Sequence, residues 1–390
     1  MRSIILLDNS EVRANLLPLT YTRPVSLLQT GILTIEEKWQ RLLPGRYSHS
    51  TIDYLDPKFP TDADPSGDNV IIASHIVPDA ALAREVAALA RGEALTKGGA
   101  TIARRGMPVE EPASTREYEG KVDTVGMTYD IFRHCGEWIA SDFTAVTAGR
   151  AGQPLPCSNT LIGDPSQLFI EEGASVEGAI INVSHGPVYI GRGAEVMEGS
   201  CLRGPVAVMD NAHVNMGARI YGPTVIGAWS KVGGELNNVV MHPYSNKAHD
   251  GFLGNAVIGS WCNLGAGCTA SNLKNDYTEI KLWNYPSRRF LRTGLQFCGL
   301  IMGDHSKAGI NTMFNTATVV GVGVNIHGTG FPRNFVASFS EGSATAGFTD
   351  VSLNKFCQIA QRVMARRGLE FTEADRSMFE AIRAIAESYK

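Results

Sequence analysis

The stretch Ile190–Val232 reads IGRGAEVMEGSCLRGPVAVMDNAHVNMGARIYGPTVIGAWSKV. Every sixth position from its start is aliphatic: Ile190, Val196, Leu202, Val208, Val214, Ile220, Ile226 and Val232. Four places after most of these stands a small or slim residue, as at Ala194, Ser200, Val206, Ala212, Ala218, Thr224 and Ser230. A period of six fits neither an amphipathic helix nor an alternating strand. It is the mark of a hexapeptide repeat. Three short strands then make one turn of a triangular prism, and each side points one aliphatic side chain inward.

The spacing continues outside this stretch. Ile258, Leu264 and Ala270 form one series, and Met302, Ala308, Phe314, Val320 and Ile326 another. Upstream, Ile162 and Leu168 fit, as do Ile170 and Val176 after a slip of two. Two interruptions, at 239–256 and 273–300, are expected to be loops on one face of the prism. Insertions in repeat proteins often form the binding face.

Composition marks the same region. Residues 151–350 hold 29 of the 41 glycines and only 26 charged residues, while the other 190 residues carry 48 charges. Stacked coils need glycine at corners and little charge between neighbours. A hydrophobic content of 44% excludes a disordered chain. A net charge of −4 offers no electrostatic footprint for nucleic acid. No apolar run is long enough to cross a membrane. The seven cysteines are scattered without a Cys-x-x-Cys pair, so neither a disulfide framework nor a metal site is expected. The first residues offer only the short apolar run Ile4–Leu7, which reads as a buried strand and not as a signal peptide. A cytoplasmic location follows from these readings.

The first 150 residues alternate strand and helix. Ile4–Leu7 and Asn69–Ala73 read as strands, and Asp79–Arg91 as an alanine-rich helix. Thr34 and Glu37 form a capping box that starts another helix. That alternation predicts an α/β domain with a mostly parallel sheet. At the other end, Ser352–Arg367 and Thr372–Tyr389 read as helices, with Thr372 and Asp375 as a capping pair. The expected organisation is therefore a Rossmann-like α/β domain over 1–150, a left-handed parallel β-helix of hexapeptide repeats over 151–345, and C-terminal helices over 346–390.

Two motifs carry a resemblance to known enzymes. The segment Asp8-Asn9-Ser10-Glu11-Val12-Arg13, followed by Leu17-Pro18-Leu19-Thr20-Tyr21-Thr22-Arg23-Pro24, is similar to the opening of sugar-1-phosphate nucleotidyltransferases. In that family a glycine-rich loop approaches the nucleotide phosphates, and an Arg and a Lys contact them. Arg13 matches the Arg, and Arg23 stands in the place of the Lys. Asn9, Ser10 and Glu11 stand where the glycines would be, and Glu11 would repel a triphosphate. The family's Mg²⁺-binding Asp follows a second strand. Here that strand runs into Ser74 and His75, with Asp79 the nearest carboxylate.

The second motif is Lys247-Ala248-His249-Asp250-Gly251-Phe252-Leu253-Gly254-Asn255, followed by Gly265-Ala266-Gly267 and Asn272. With Gly303-Asp304 and Gly309-Ile310-Asn311 it resembles the acetyltransferase half of the GlmU family. Members of that family are bifunctional glucosamine-1-phosphate N-acetyltransferases and N-acetylglucosamine-1-phosphate uridyltransferases. The resemblance implies His249 as the catalytic base, with Glu235 orienting its ring. It implies Asn272 as a donor near the reacting carbonyl, although Asn272 could equally belong to a stacked asparagine ladder. Arg219 and Asn263 match sugar-phosphate contacts, and Lys247 would add charge for the phosphate. Phe252 takes the place of the family's sugar-binding tyrosine.

The resemblance further implies acetyl-CoA as acyl donor, Mg²⁺ for the nucleotidyl half, a sugar phosphate or sugar nucleotide as partner, and a homotrimer. A γ-type carbonic anhydrase, which shares the prism, needs a His-x4-His pair that the prism's histidines do not form. A non-catalytic sugar-nucleotide-binding or scaffold trimer is the competing expectation.

Overall fold

The computed structural model describes residues 2–108 and 110–390. Its N-terminal part is a six-stranded sheet with helices packed against it. Three parallel neighbours, Arg46–Ser50, Ser3–Leu7 and Asn69–Ala73, form one half of the sheet. Ala100–Gly106 and Glu93–Lys97 continue it antiparallel, and Ser114–Glu117 closes the edge. Ile4, Ile5 and Leu6 are fully buried, as their uninterrupted apolar run predicted. The capping box forms: the Thr34 amide donates to Glu37 Oε2 at 2.7 Å, and the Glu37 amide donates to Thr34 Oγ1 at 3.2 Å.

From Thr160 the chain winds into a parallel β-helix with three faces. On one face Val188–Ile190, Val206–Val208 and Thr224–Ile226 pair in register. On the second, Glu195, His213 and Lys231 stack with the same spacing. On the third, Cys201, Arg219, Glu235 and Phe252 do so. The six-residue series and its four-on companions both point inward. Ile190, Val196, Leu202, Ala194 and Val206 share one buried core, and Ser200, Thr224 and Ser230 are fully buried beside them.

The outward residues distinguish the faces. On the first face the outward positions are Phe169, Tyr189, Ala207, Val225, Val240, Val257, Ile301 and Val319, all buried. They share a core with Ile131, Phe132, Cys135 and Ile139 of the N-terminal part, so that part is docked on this face. Each buried aliphatic side chain contributes roughly 1.5–3 kcal/mol. The second face is polar, and most of its outward side chains are half-buried. The third carries a strip in which Ile180, Cys201, Arg219 and Tyr221 are exposed.

The first interruption is not a loop. Residues 239–256 stay within the prism, because Glu235–Met241 and Phe252–Ile258 are strands that run across a corner and pair along their length. Asn238 and Asn255 take left-handed backbone at the crossing (φ 57 and 45). Asparagine tolerates that conformation better than most side chains. One residue thus makes a corner that elsewhere takes a longer turn, and the coil is shortened where an insertion was expected.

The second interruption does leave the prism. It contains the antiparallel hairpin Lys281–Asn284 with Arg289–Arg292. This hairpin props the N-terminal part. Asn284 Nδ2 donates to Asn15 Oδ1 at 2.9 Å, and Tyr285 meets Tyr21 edge-on at 5.8 Å.

The last helices, Leu353–Ala365 and Glu373–Ala386, cross another corner of the prism. That corner is a column of residues with left-handed backbone: Asn211, Trp229, Tyr244, Trp261 and His305. Tyr244 stacks on Trp261 at 4.2 Å, and Phe356 and Phe379 meet His305 edge-on.

Candidate functional site

His249 sits on the turn that joins the polar face to the exposed strip. The turn is built by stacking. The Glu235 amide donates to Gly251 O at 3.1 Å, and the Gly267 amide donates to Asp250 O at 3.0 Å. A Cβ on Gly251, whose φ is +120, would collide with the carbonyl of Cys268, so only glycine lets the levels close. His249 is exposed, and its ring makes no hydrogen bond among the described residues. Along the same edge Met216 and Ile310 project at 71% exposure each. The imidazole therefore stands on a prism edge whose adjacent levels turn on Gly233-Gly234 and Gly265-Ala266-Gly267, with Met216 and Ile310 two levels away on either side.

The strip begins beside that edge. Arg219, Glu235 and Phe252 occupy successive levels in strict register. Arg219 Nε lies 3.5 Å from Glu235 Oε2, and both side chains are substantially exposed. The structure brings these three together, one residue away from the turn of His249. An exposed pair of this kind adds little stability, about 0–1 kcal/mol. It leaves a cation and a carboxylate facing outward, available to a ligand.

Asn272 belongs to the opposite corner of the strip. Its Nδ2 donates to Asn255 Oδ1 at 2.7 Å, which realises the asparagine ladder. Gly254 admits this contact, since a Cβ there would lie 2.6 Å from both Asn272 Nδ2 and the Phe252 ring. The strip segment Phe252–Gly254 separates Asn272 from the turn of His249, on the order of 10 Å of extended chain. Asn263 is exposed on the neighbouring polar face, in register with Asn246 and Lys307. The structure does not bring Asn263 or Asn272 against the imidazole.

Lys247 corrects the expectation drawn from its motif. It is paired with Val232, an inward position, and is only 1% exposed. Its ammonium donates to Gly233 O at 3.1 Å and to His249 O at 2.6 Å. Burial lowers its pKa from 10.5 to about 8. A side chain sealed in this way does not contact a phosphate at the surface.

The nucleotide-binding expectation for Arg13 and Arg23 is corrected too. In open α/β sheets, ligands bind beyond the carboxyl ends of the strands, where the strand order reverses. Here that point lies between Leu7 and Ala73, and the protein fills it with its own groups. The Asp8 carboxylate accepts from the Val25 amide at 3.0 Å, from Ser74 Oγ at 2.6 Å and from Thr51 Oγ1 at 2.5 Å. Arg13 is buried and donates to Thr20 O and to Tyr54 Oη. Arg23 is paired with Asp304 of the prism and also donates to Ser260 Oγ at 3.2 Å. Thr22 Oγ1 donates to the same Asp304 carboxylate at 2.8 Å.

The loop expected to cradle phosphates is therefore the seam between the sheet and the prism. With Asp8 saturated and Ser74 and His75 next along, the residues present do not fit a Mg²⁺–nucleotide site. No group of three His, Cys, Asp or Glu side chains among the described residues is arranged to hold a metal ion.

Sequence reading missed the partner of that seam. Asp304 was seen as part of a motif, yet it lies 281 positions from Arg23. A second seam pair, Lys58 with Asp375, ties the N-terminal part to the last helix. Between the two pairs lies a cavity of about 270 Å³ lined by Gln29, Tyr244, Trp261, His305 and Phe379.

Comparison with known proteins adds the following. Residues 4–151 match the family model described as sugar nucleotidyl transferase. No curated protein matches the chain. Among solved structures, the UDP-N-acetylglucosamine acyltransferase of Francisella novicida is 18% identical, over 58% of this chain and 78% of that one, with a TM-score of 0.23. The Arabidopsis UDP-N-acetylglucosamine acyltransferase is 15% identical, over 60% and 95%, with a TM-score of 0.23. A hexapeptide transferase family protein from Anaplasma phagocytophilum is 15% identical, over 60% and 93%, with a TM-score of 0.15. The prism assignment rests on the strand register described above.

Proposed function

We propose that this protein is an acyltransferase that uses acetyl-CoA to acylate a sugar phosphate or sugar nucleotide, and that the chemistry takes place on the prism edge at His249. The observation that carries the reading is the exposed imidazole beside the register stack of Arg219, Glu235 and Phe252. An imidazole can accept a proton from an attacking group. His249 takes the proton from the acceptor's amine or hydroxyl as that group attacks the thioester carbonyl. The C–S bond then breaks, and CoA leaves as a thiol after protonation. Glu235 steadies the imidazolium, and Arg219 holds the acceptor's phosphate. Phe252 offers its ring to the sugar. Asn272 lies at the far corner of the strip and Asn263 on the adjacent face.

The bare edge with Met216 and Ile310 is read as a contact with a second copy. Three copies around one axis would wall the acyl donor between neighbouring prisms, so the proposed assembly is a homotrimer. Light scattering that reports a stable monomer would argue against this reading. The direct test is the release of CoA thiol from acetyl-CoA in the presence of a panel of sugar phosphates. Activity that His249→Gln abolishes supports the assignment, and activity that survives it removes His249 from the mechanism.

A second reading concerns the N-terminal domain. The saturated Asp8 carboxylate and the Arg23–Asp304 pair favour a docking role over nucleotide turnover. Calorimetry with UTP, dTTP and Mg²⁺ is expected to show no binding.

A further inference from the structure

The level that carries His249 holds a charge in a place built for aliphatic side chains. Val196, Val214 and Val232 stack there from below, and Leu264, Ala308 and Ile326 from above. Lys247 stands between them. No carboxylate lies within salt-bridge distance of its ammonium among the described residues. Its partners are two carbonyl groups on successive levels of one corner, Gly233 O and His249 O.

Stability alone gives no reason for this choice. Burying a charge without an opposite charge costs free energy, and a valine or leucine would fill the position without that cost. Charge-assisted hydrogen bonds are, however, about twice as strong as neutral ones and hold their acceptors in a fixed direction. The turn they hold is exposed, and its histidine has no side-chain partner of its own. Without the ammonium, the His249 carbonyl has no other donor among the described residues.

We infer that Lys247 is a positioning residue for His249: its ammonium ties the His249 carbonyl to the level beneath and so fixes the direction in which the imidazole leaves the prism edge. The inference rests on the acyltransferase reading of His249. Lys247 touches neither acyl donor nor acceptor and acts through the backbone of the turn.

The test compares the full-length protein with Lys247→Met, which keeps the length and the apolar stem and removes the donors. Two readouts are taken together. Hydrogen exchange by mass spectrometry follows the amides of residues 248–251, and thiol release gives kcat and KM. The expected result is exchange about tenfold faster in this turn, with the rest of the prism unchanged. It comes with a kcat about tenfold lower and a KM for acetyl-CoA within twofold of the wild type.

A residue that only filled the core would shift the melting temperature and leave kcat unchanged. Unchanged exchange in the turn, or faster exchange with unchanged kcat, would overturn the inference. Should Lys247→Met fail to fold, Lys247→Leu, which also removes the donors and keeps an apolar side chain, is read by the same two criteria. A wild type that transfers no acyl group to any acceptor overturns the acyltransferase reading and this inference together. A wild type that transfers while the variant's turn stays protected overturns this inference alone.

Discussion

Two places in this molecule have the sequence marks of chemistry, and the fold treats them in opposite ways. At the carboxyl ends of the first and third strands, Asp8, Arg13 and Arg23 are all committed to partners within the chain. At the prism edge, His249 is exposed and its ring is uncommitted, with Arg219 and Glu235 facing outward beside it. The first place resembles a nucleotide site and has become a seam. The second leaves its polar side chains open to solvent. Charged residues in a family-like motif thus indicate function only where the fold leaves their polar atoms unspent.

The comparison can be broken most severely at the seam. Asp304→Ala leaves the largely covered Arg23 without its carboxylate, which costs up to about 3 kcal/mol. The melting temperature should fall clearly, and equilibrium denaturation should show the N-terminal part leaving the prism first. A variant as stable as the wild type would mean that Arg23 is free to bind a ligand after all.

The next effect concerns Lys247 and pH. Burial holds its folded pKa at about 8, against 10.5 when exposed. Between these values the folded state binds fewer protons than the unfolded state, so this group makes stability rise with pH across that window, by about 2–3 kcal/mol. The quantity to measure is the difference in unfolding free energy between wild type and Lys247→Met from pH 7.5 to 10.5, in which the contributions of other groups cancel. That difference should shift in favour of the wild type as pH rises. A constant difference would show that the lysine is not held as described.

Smaller effects sharpen the description of the open edge. Arg219→Ala should change stability by less than about 0.5 kcal/mol, because the residue is exposed and its ion pair is weak. It should raise the KM for a phosphorylated acceptor about tenfold while leaving the KM for acetyl-CoA alone. An equal rise in both would move Arg219 from the acceptor to the acyl donor. At the null end, Glu11→Gly restores a glycine to the first loop and removes a repelling charge, yet should not create UTP binding in calorimetry, since Asp8 remains occupied.

The prism was legible because its period is local. Each inward residue from Ile190 to Val232 could be counted without knowledge of any distant contact, and the buried core follows that count. The count failed where the Gly233-Gly234 turn and the one-residue corner at Asn238 shortened a level, by two residues and by one. The level from Trp229 to Tyr244 spans 15 positions, where Asn211 to Trp229 spans 18. With the period broken, Lys247 read as a surface charge instead of an inward residue.

His249 stood out through its motif, and its side chain is exposed. Asn272 could be read two ways, and the ladder with Asn255 decided its geometry. The closing of the nucleotide edge was only half legible. Asn9, Ser10 and Glu11, standing where glycines were expected, put a phosphate cradle in question. They did not show that Arg23 had gained Asp304, because a pairing across 281 positions leaves no local trace.

The contrast between the closed edge and the open one is tested most directly by diffraction from crystals soaked with acetyl-CoA and a sugar phosphate. The account predicts the acyl donor along the prism edge between neighbouring copies, with its thioester beside the His249 imidazole and the phosphate at Arg219. Ligand bound at the carboxyl ends of the strands, against Asp8 and with Arg23 drawn away from Asp304, would contradict it.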